Sequence, residues 1–92
     1  VTVHSLRQGA AEAIEVIAHG DFNTSKVVGR HIEQIKLPSS ASVAAILREG
    51  EVLFSDKSLV IAPDDHLIIF ISNQRDIMAV EKLFQVDFNY LM

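Results

Sequence analysis

The spacing of apolar residues along the chain predicts several strands and two helices. Residues 12–18 are rich in β-branched side chains and predict a strand, with Ile14, Val16 and Ala18 on one face. Residues 66–72 are apolar at nearly every position. A run of this kind predicts a central strand that is buried on both faces.

A first helix is predicted between these two strands. Thr24 or Ser25 is suited to the N-cap, and Pro38 stops the helix because the residue before proline disfavours helical angles. Gly29 within the helix costs about 1 kcal/mol relative to alanine, so we expect a packing reason or a late start. Apolar residues recur at positions i, i+4 and i+7, namely Val28, Ile32 and Ile35.

The middle of the chain predicts a β-hairpin followed by two turns. Residues 42–47 and 52–54 are the two strands, and 48–51 is the connecting turn, in which Gly50 is free to adopt a positive φ. Residues 59–61 form a short extended piece. Pro63-Asp64-Asp65 is a polar turn leading into the apolar strand.

The last predicted element is a helix capped by Asn73, with Asp76 placed favourably for the helix dipole. Its buried face carries four apolar residues, Ile77, Val80, Leu83 and Phe84. The order of elements predicts a two-layer α+β fold, in which two short helices pack on one mixed β-sheet that contains the hairpin. We expect one domain over residues 1–92, with 1–11 as a connector from a preceding domain absent from this chain.

Composition excludes several classes of function. The net charge is −4 and the eight basic residues are scattered, which argues against nucleic-acid binding. There is no cysteine, so neither a disulfide framework nor a thiolate metal site is available. The longest apolar run, 67–71, is too short to insert directly into a membrane. Hydrophobic residues make up 49% of this small chain, so we expect part of the apolar surface to face a partner or a second copy.

No constellation with catalytic or metal-binding spacing is present. The four histidines, His4, His19, His31 and His66, do not occur at i, i+3 or i+4 spacing on one helix, which favours surface or turn positions over metal ligands. Asp64-Asp65-His66 can be interpreted as an acid/base group. Turn chemistry explains it more simply, because no nucleophile or second positioned group accompanies it.

Two arginines are candidates for an effector or anion contact, Arg30 and Arg48. The competing interpretation of Arg48 is a surface ion pair with Glu49 or Glu51, worth at most about 1 kcal/mol, and we favour it.

The predicted first helix is also the candidate dimer interface. Val27 and Val28 are adjacent and point in different directions on a helix, so one direction can pack on the sheet while the other contacts a partner. The candidate interface residues are Val27, Val28, Ile32 and Ile35. Core packing alone and core packing plus an interface remain equally supported alternatives. The apolar tail, Phe88, Tyr90, Leu91 and Met92, either frays or docks on a neighbour.

The order of these motifs resembles the C-terminal (TrkA-C) subdomain of RCK-type regulators. That family has a strand ending in Arg-x-Gly, a returning strand, and Pro-Gly-Asp before an apolar strand. Arg48, Gly50, Pro63 and Asp65 match this pattern, whereas Asp64 stands where glycine is usual. The departure bears on the type of turn and not on the fold.

The resemblance implies a cytoplasmic regulator at the inner face of the membrane, bound to the membrane subunit of a Trk potassium transporter. In that family NAD binds a preceding Rossmann domain, and no Gly-x-Gly-x-x-Gly motif occurs here, so no cofactor is expected on this chain.

The leading hypothesis is a non-catalytic regulatory and dimerisation subdomain that couples ligand sensing to potassium uptake. The alternative is a sensor that binds a cyclic dinucleotide or another small effector at its own dimer interface. An enzyme has no positive support in the sequence.

Overall fold

The computed structural model describes residues 2–5 and 12–86. Its strands are β1 (Thr2–Ser5), β2 (Glu12–Ile17), β3 (Ala41–Arg48), β4 (Glu51–Phe54) and β5 (His66–Ile71). They form one sheet in the order β1-β2-β5-β3-β4. The predicted α+β class is confirmed, but the predicted mixed sheet is wrong for the strands described, since every pairing among them is antiparallel.

One face of the sheet holds the core. Alternate residues of β2, β3 and β5 point to this inner face and are buried, among them Ile14, Ile46, Leu67, Ile69 and Ile71. The segment between β2 and β3 and the C-terminal helix pack over them. β5 is central, as predicted, but it is not buried on both faces, because Phe70 on the opposite face is 47% exposed.

A two-residue loop joins β3 to β4. Arg48 and Glu51 are paired across the hairpin, and Glu49 and Gly50 between them have φ values of 50° and 81°. Two consecutive positive φ angles define a type I′ turn, whose twist matches that of the flanking strands. The predicted hairpin is therefore confirmed.

The predicted helix before Pro38 is wrong. Gly29 has a φ of 82°, and a β-carbon there would lie 2.7 Å from the Phe22 ring, so this position requires glycine and interrupts a helix. The chain instead runs alongside the 59–61 segment, with a bridge between His31 and Val60 and only a three-residue 3-10 helix, Ile32–Gln34.

The C-terminal helix is formed as predicted. The Asn73 side chain accepts a hydrogen bond from Arg75 N and caps a 3-10 turn, Gln74–Asp76, which leads into α1 (Ile77–Leu83). Val80 and Phe84 are buried, and Ile77 and Leu83 pack against the core. Ser40 Oγ donates to Asp76 Oδ2 at 2.7 Å and ties the start of α1 to the chain before β3.

The N-terminal segment differs from the expected connector over 1–11. Residues 2–5 form β1, which pairs with β2 at an edge of the sheet. Their register places Val3 opposite Ile14. The expected tail contact falls on residues 88–92, which lie outside the described part. No helix within the described ranges is long and apolar enough to cross a membrane.

Candidate functional site

Arg48 and Asp65 form a bidentate ion pair at one end of the sheet. Arg48 Nε lies 2.9 Å from Asp65 Oδ1, and Arg48 Nη2 lies 2.7 Å from Asp65 Oδ2. The same nitrogen donates to the Val60 carbonyl at 2.8 Å. The hydrogen bonds to Asp65 hold the pKa of Arg48 above its ordinary value. The carboxylate of the pair is buried and the guanidinium is partly open to solvent, since the Asp65 side chain is 1% exposed and the Arg48 side chain is 33% exposed.

This pair fixes the turn between residues 62 and 65. Asp65 Oδ2 accepts a hydrogen bond from Ala62 N, as the turn interpretation predicted for an Asp at this position. Ala18 bonds to both aspartates of the turn, accepting from Asp64 N and donating to the Asp65 carbonyl. The ends of β2 and β3 are thereby tied to one turn.

Two predictions about this turn are decided by its geometry. The sequence analysis favoured an ion pair of Arg48 with Glu49 or Glu51. In the structure the Arg48 guanidinium instead forms its ion pair with the buried Asp65. Asp64 has a φ of 68°, in the region where glycine is favoured, which explains why the family pattern has glycine there.

Arg30, the other candidate anion contact, is held largely by its own segment. Its guanidinium lies 4.1 Å from the centre of the Phe22 ring, a cation–π arrangement. Its Nη1 nitrogen donates to the carbonyls of Phe22, Ser25 and Val28. Arg30 also lines a cavity of about 310 Å³, together with Lys26, Gln34, Lys36 and Leu83. Three cations converge on this cavity and no acidic residue lines it.

The four predicted interface residues lie within the protomer's own core. Val27 and Val28 are 0% and 3% exposed, Ile35 is 8% exposed, and Ile32 packs against the core. The prediction that Val27 points toward a partner is wrong, since a side chain without exposure cannot contact another chain. The reason is that Ser25 Oγ accepts from the backbone N–H of both Val27 and Val28, a turn that directs both valines inward.

The described histidines are dispersed. His66 Nδ1 lies 2.8 Å from Glu15 Oε2, and His31 Nδ1 lies 2.7 Å from the Ser58 carbonyl. His19 approaches the exposed Asp64 at 3.9 Å. No group of three metal-ligating side chains occurs among the described residues.

The outer face of the sheet is apolar and open, a feature that the sequence analysis missed. This outer sheet face consists of alternate residues of four strands, Ala13, Glu15 and Ile17 of β2, Ser42, Ala45 and Leu47 of β3, Val52 and Phe54 of β4, and His66, Ile68 and Phe70 of β5. Phe54 is 81% exposed, and Val52 and Phe70 about half. The sequence did contain evidence for this face. In β5 nearly every residue is apolar, but only alternate residues face the core, so the others must lie on the opposite face.

Comparison with known proteins places these features in a family. The family model described as the TrkA-C domain matches residues 23–85, more than half of the chain. The "Trk system potassium uptake protein TrkA" of Halomonas elongata is 52% identical over 90 residues, and that of Vibrio alginolyticus is 54% identical over 85. The matches cover 98% and 92% of this chain, which spans about a fifth of the length of these relatives.

Solved structures share the fold. The RCK_C domain dimer of S. agalactiae BusR in complex with c-di-AMP has a TM-score of 0.63 at 24% identity, covering 78% of this chain and 93% of that one. S. agalactiae BusR in complex with its busA-promotor DNA has a TM-score of 0.61 at 26% identity, covering 90% and 41%. With the model match and the high identity to two TrkA proteins, the resemblance of the Arg48-to-Asp65 region is confirmed, and the chain belongs to the TrkA-C domain family.

Proposed function

We propose that this chain is the non-catalytic regulatory subdomain of a Trk-type potassium-uptake regulator and that it self-associates as a dimer. The observation that carries the proposal is 54% identity over 85 residues to a TrkA protein, across 92% of this chain. In this role the domain couples ligand sensing elsewhere in the parent protein to the potassium transporter.

The geometry suits coupling through contacts between domains. The Arg48–Asp65 pair ties β2, β3 and the 62–65 turn together, so a displacement at one end of the sheet is transmitted as the movement of a rigid body. The outer sheet face is a surface on which a second domain can pack. An effector at a distant site then acts by changing the relative stability of two packing arrangements, without local chemistry.

The partners follow from the same proposal. NAD belongs to a preceding Rossmann domain of the parent protein, and the membrane subunit of a Trk transporter is the protein that the parent contacts. The domain then lies in the cytoplasm and is peripheral to the inner face of the cell membrane.

A domain exchange tests the proposal. The aligned residues of the Vibrio alginolyticus TrkA are replaced by this chain, and rubidium uptake is measured in cells that lack their own regulator. We expect uptake close to that given by the intact relative, with the relative truncated before this domain as the control. Uptake no better than that of the truncated control would overturn the regulatory role.

The second candidate is a sensor of a small anionic effector such as a cyclic dinucleotide. It is favoured by the 310 Å³ cavity, which is lined by Lys26, Arg30 and Lys36 and by no acidic residue. Calorimetry with c-di-AMP tests it, comparing the wild type with Lys36→Glu and with Lys57→Glu, an equal change of charge at an exposed site outside the cavity. Binding that only Lys36→Glu weakens supports the sensor, whereas no binding by the wild type rejects it.

A further inference from the structure

We propose that the seam between the 26–38 segment and α1 is a docking groove for an acidic, aliphatic segment of a partner protein. This basic groove consists of two adjoining cavities of about 310 and 380 Å³, which share Lys26, Lys36 and Leu83 as lining residues. It lies in the layer that covers the core and is separate from the outer sheet face. The inference goes beyond the proposed function, because the regulatory role does not depend on what occupies this groove.

Half of the basic residues of an acidic chain line the basic groove. The chain has eight lysines and arginines and a net charge of −4. Four of the eight line the two cavities, namely Lys26, Arg30, Lys36 and Lys82. No acidic side chain lines either cavity in the described ranges, and none of the four cations takes part in an ion pair there. The groove is therefore a local concentration of uncompensated positive charge on a protein whose net charge is negative.

The cations are distributed along the groove. Arg30 lines only the smaller cavity and Lys82 only the larger one, whereas Lys26 and Lys36 line both. Arg30 is held in place, because its Nη1 nitrogen donates to three carbonyls of its own segment. A single compact anion at one end meets only part of this set of cations, and an elongated ligand with several negative charges meets all of it. The arrangement therefore favours an elongated polyanion.

The floor of the groove is apolar. Leu37 and Leu83 are half-buried and pack against the core, and the half-buried Pro38 lines the same cavity. The three lysines are exposed and form the rim. Protein interfaces have this arrangement, with an apolar centre inside a polar rim. A ligand that carries aliphatic groups between its negative charges matches both the floor and the rim.

Nucleotides and membranes match the groove less well than an acidic peptide does. No aromatic side chain is among its described lining residues, so a nucleotide base finds no ring on which to stack. A flat anionic membrane contacts the exposed lysines but does not reach the half-buried floor. In an extended peptide successive side chains point in opposite directions, so aliphatic residues can face the floor while the acidic residues between them stay near the rim.

Fluorescence anisotropy with synthetic peptides tests the proposal on the 92-residue chain. The probe is a labelled peptide of about eight residues that alternates glutamate and leucine. We expect the probe to bind with a dissociation constant below about 1 mM at low ionic strength, and more weakly as salt is added. One control peptide has glutamine in place of glutamate and should not bind. The other has serine in place of leucine and should bind at least about fivefold more weakly.

Charge reversals locate the binding of the probe. Lys36→Glu changes a cation that lines both cavities, and Lys82→Glu changes the cation on α1. Lys57→Glu is the matched control, because Lys57 is equally exposed and does not line the groove. Circular dichroism and thermal midpoints confirm that each variant is folded. The dissociation constant should rise at least about fivefold in both groove variants and less than about twofold in the control.

Several results overturn the proposal. One is no binding of the probe by the wild type at concentrations up to about 1 mM. A second is equal weakening by all three variants, which indicates attraction to the chain as a whole. A third is equal affinity for the probe and the serine peptide, since the floor then plays no part. Binding of c-di-AMP that both groove variants weaken, without binding of the probe, assigns the groove to a small effector and overturns the proposal as well.

Discussion

Asp65 carries a carboxylate that is 1% exposed, and its burial is tolerated because Arg48 and Ala62 N donate to it. Removing one partner of a buried pair leaves an uncompensated charge. We therefore predict that Arg48→Ala lowers the free energy of unfolding by about 3 kcal/mol. This value is at the low end of the range for breaking a buried ion pair, because the Arg48 side chain is a third exposed. Urea unfolding measures the change.

Arg75→Ala is the control for this prediction, because Arg75 is exposed and its Nε contact with Asn73 is long, at 3.4 Å. Its cost should stay within about 0.5 kcal/mol. Equal costs for the two arginines would contradict a structural role for the Arg48–Asp65 pair.

The partner of Arg48 could not be predicted from its neighbours in sequence. Glu49 and Glu51 are adjacent, and Glu51 is even paired with Arg48 across the hairpin. The bonded carboxylate is 17 residues away and becomes a partner only after the 62–65 turn folds against the end of β3. The family pattern includes both Arg48 and Asp65, but it does not indicate that their side chains are in contact.

Asp21 gives the fold a dependence on acidic pH. Its carboxylate accepts from the backbone N–H groups of Thr24 and Asn23 and from the Thr24 hydroxyl, and these bonds hold its pKa below the ordinary 3.8. A lowered pKa in the folded state contributes stability above pH 3.8, and that stability is lost as the pH falls through the folded pKa.

We predict that Asp21→Asn, which cannot titrate, shows a smaller loss of stability on acidification from about pH 5 to about pH 3 than the wild type. Unfolding free energies at each pH measure the two slopes. Parallel slopes would show that the pKa of Asp21 does not differ between the folded and unfolded states.

At the scale of elements, the β3–β4 hairpin contains one residue that is poorly suited to its position. Glu49 is the first of the two central residues of the type I′ turn and has a φ of 50°. Asparagine is favoured at this position because it tolerates left-handed angles. We predict that Glu49→Asn raises the free energy of unfolding by about 0.5–1 kcal/mol, measured by thermal melting.

Glu51→Asn is the matched control for the hairpin, since it makes the same change of side chain at the paired strand position. It should give no gain, because asparagine is disfavoured in strands. A similar gain from both variants would indicate an effect of charge and not of backbone conformation.

The elements differ in how far the sequence determines them. Strands β2 to β5, the hairpin and α1 were predictable because their periodicity and caps are local. β1 was missed, because residues 1–11 carry no clear period and become a strand only by pairing with β2. The conformation of the segment before Pro38 was not predictable from spacing alone. Val28, Ile32 and Ile35 have the spacing of an apolar helix face, but a turn and a 3-10 helix also direct them toward the core. Gly29 was the one local sign against a helix. Its φ of 82° is incompatible with helical angles and interrupts the predicted helix.

At the scale of the whole molecule, the described residues carry no glycine-rich phosphate loop, and we predict that the 92-residue chain does not bind NADH. Calorimetry at micromolar concentrations measures this, with the intact TrkA of a relative as the positive control. A dissociation constant in the micromolar range for this chain would contradict the assignment of NAD to another part of the parent protein.

The order β1-β2-β5-β3-β4 also governs how the chain acquires its structure during synthesis. Among the described strands β5 leaves the ribosome last, yet it lies between β2 and β3 and joins the two halves of the sheet. Until it emerges, β1–β2 and β3–β4 are separate two-stranded units, and such units are marginally stable in water. Their unpaired edges are exposed to other chains throughout that interval. The described sheet can therefore be completed only after β5 has emerged, and its formation depends on the closure of distant contacts.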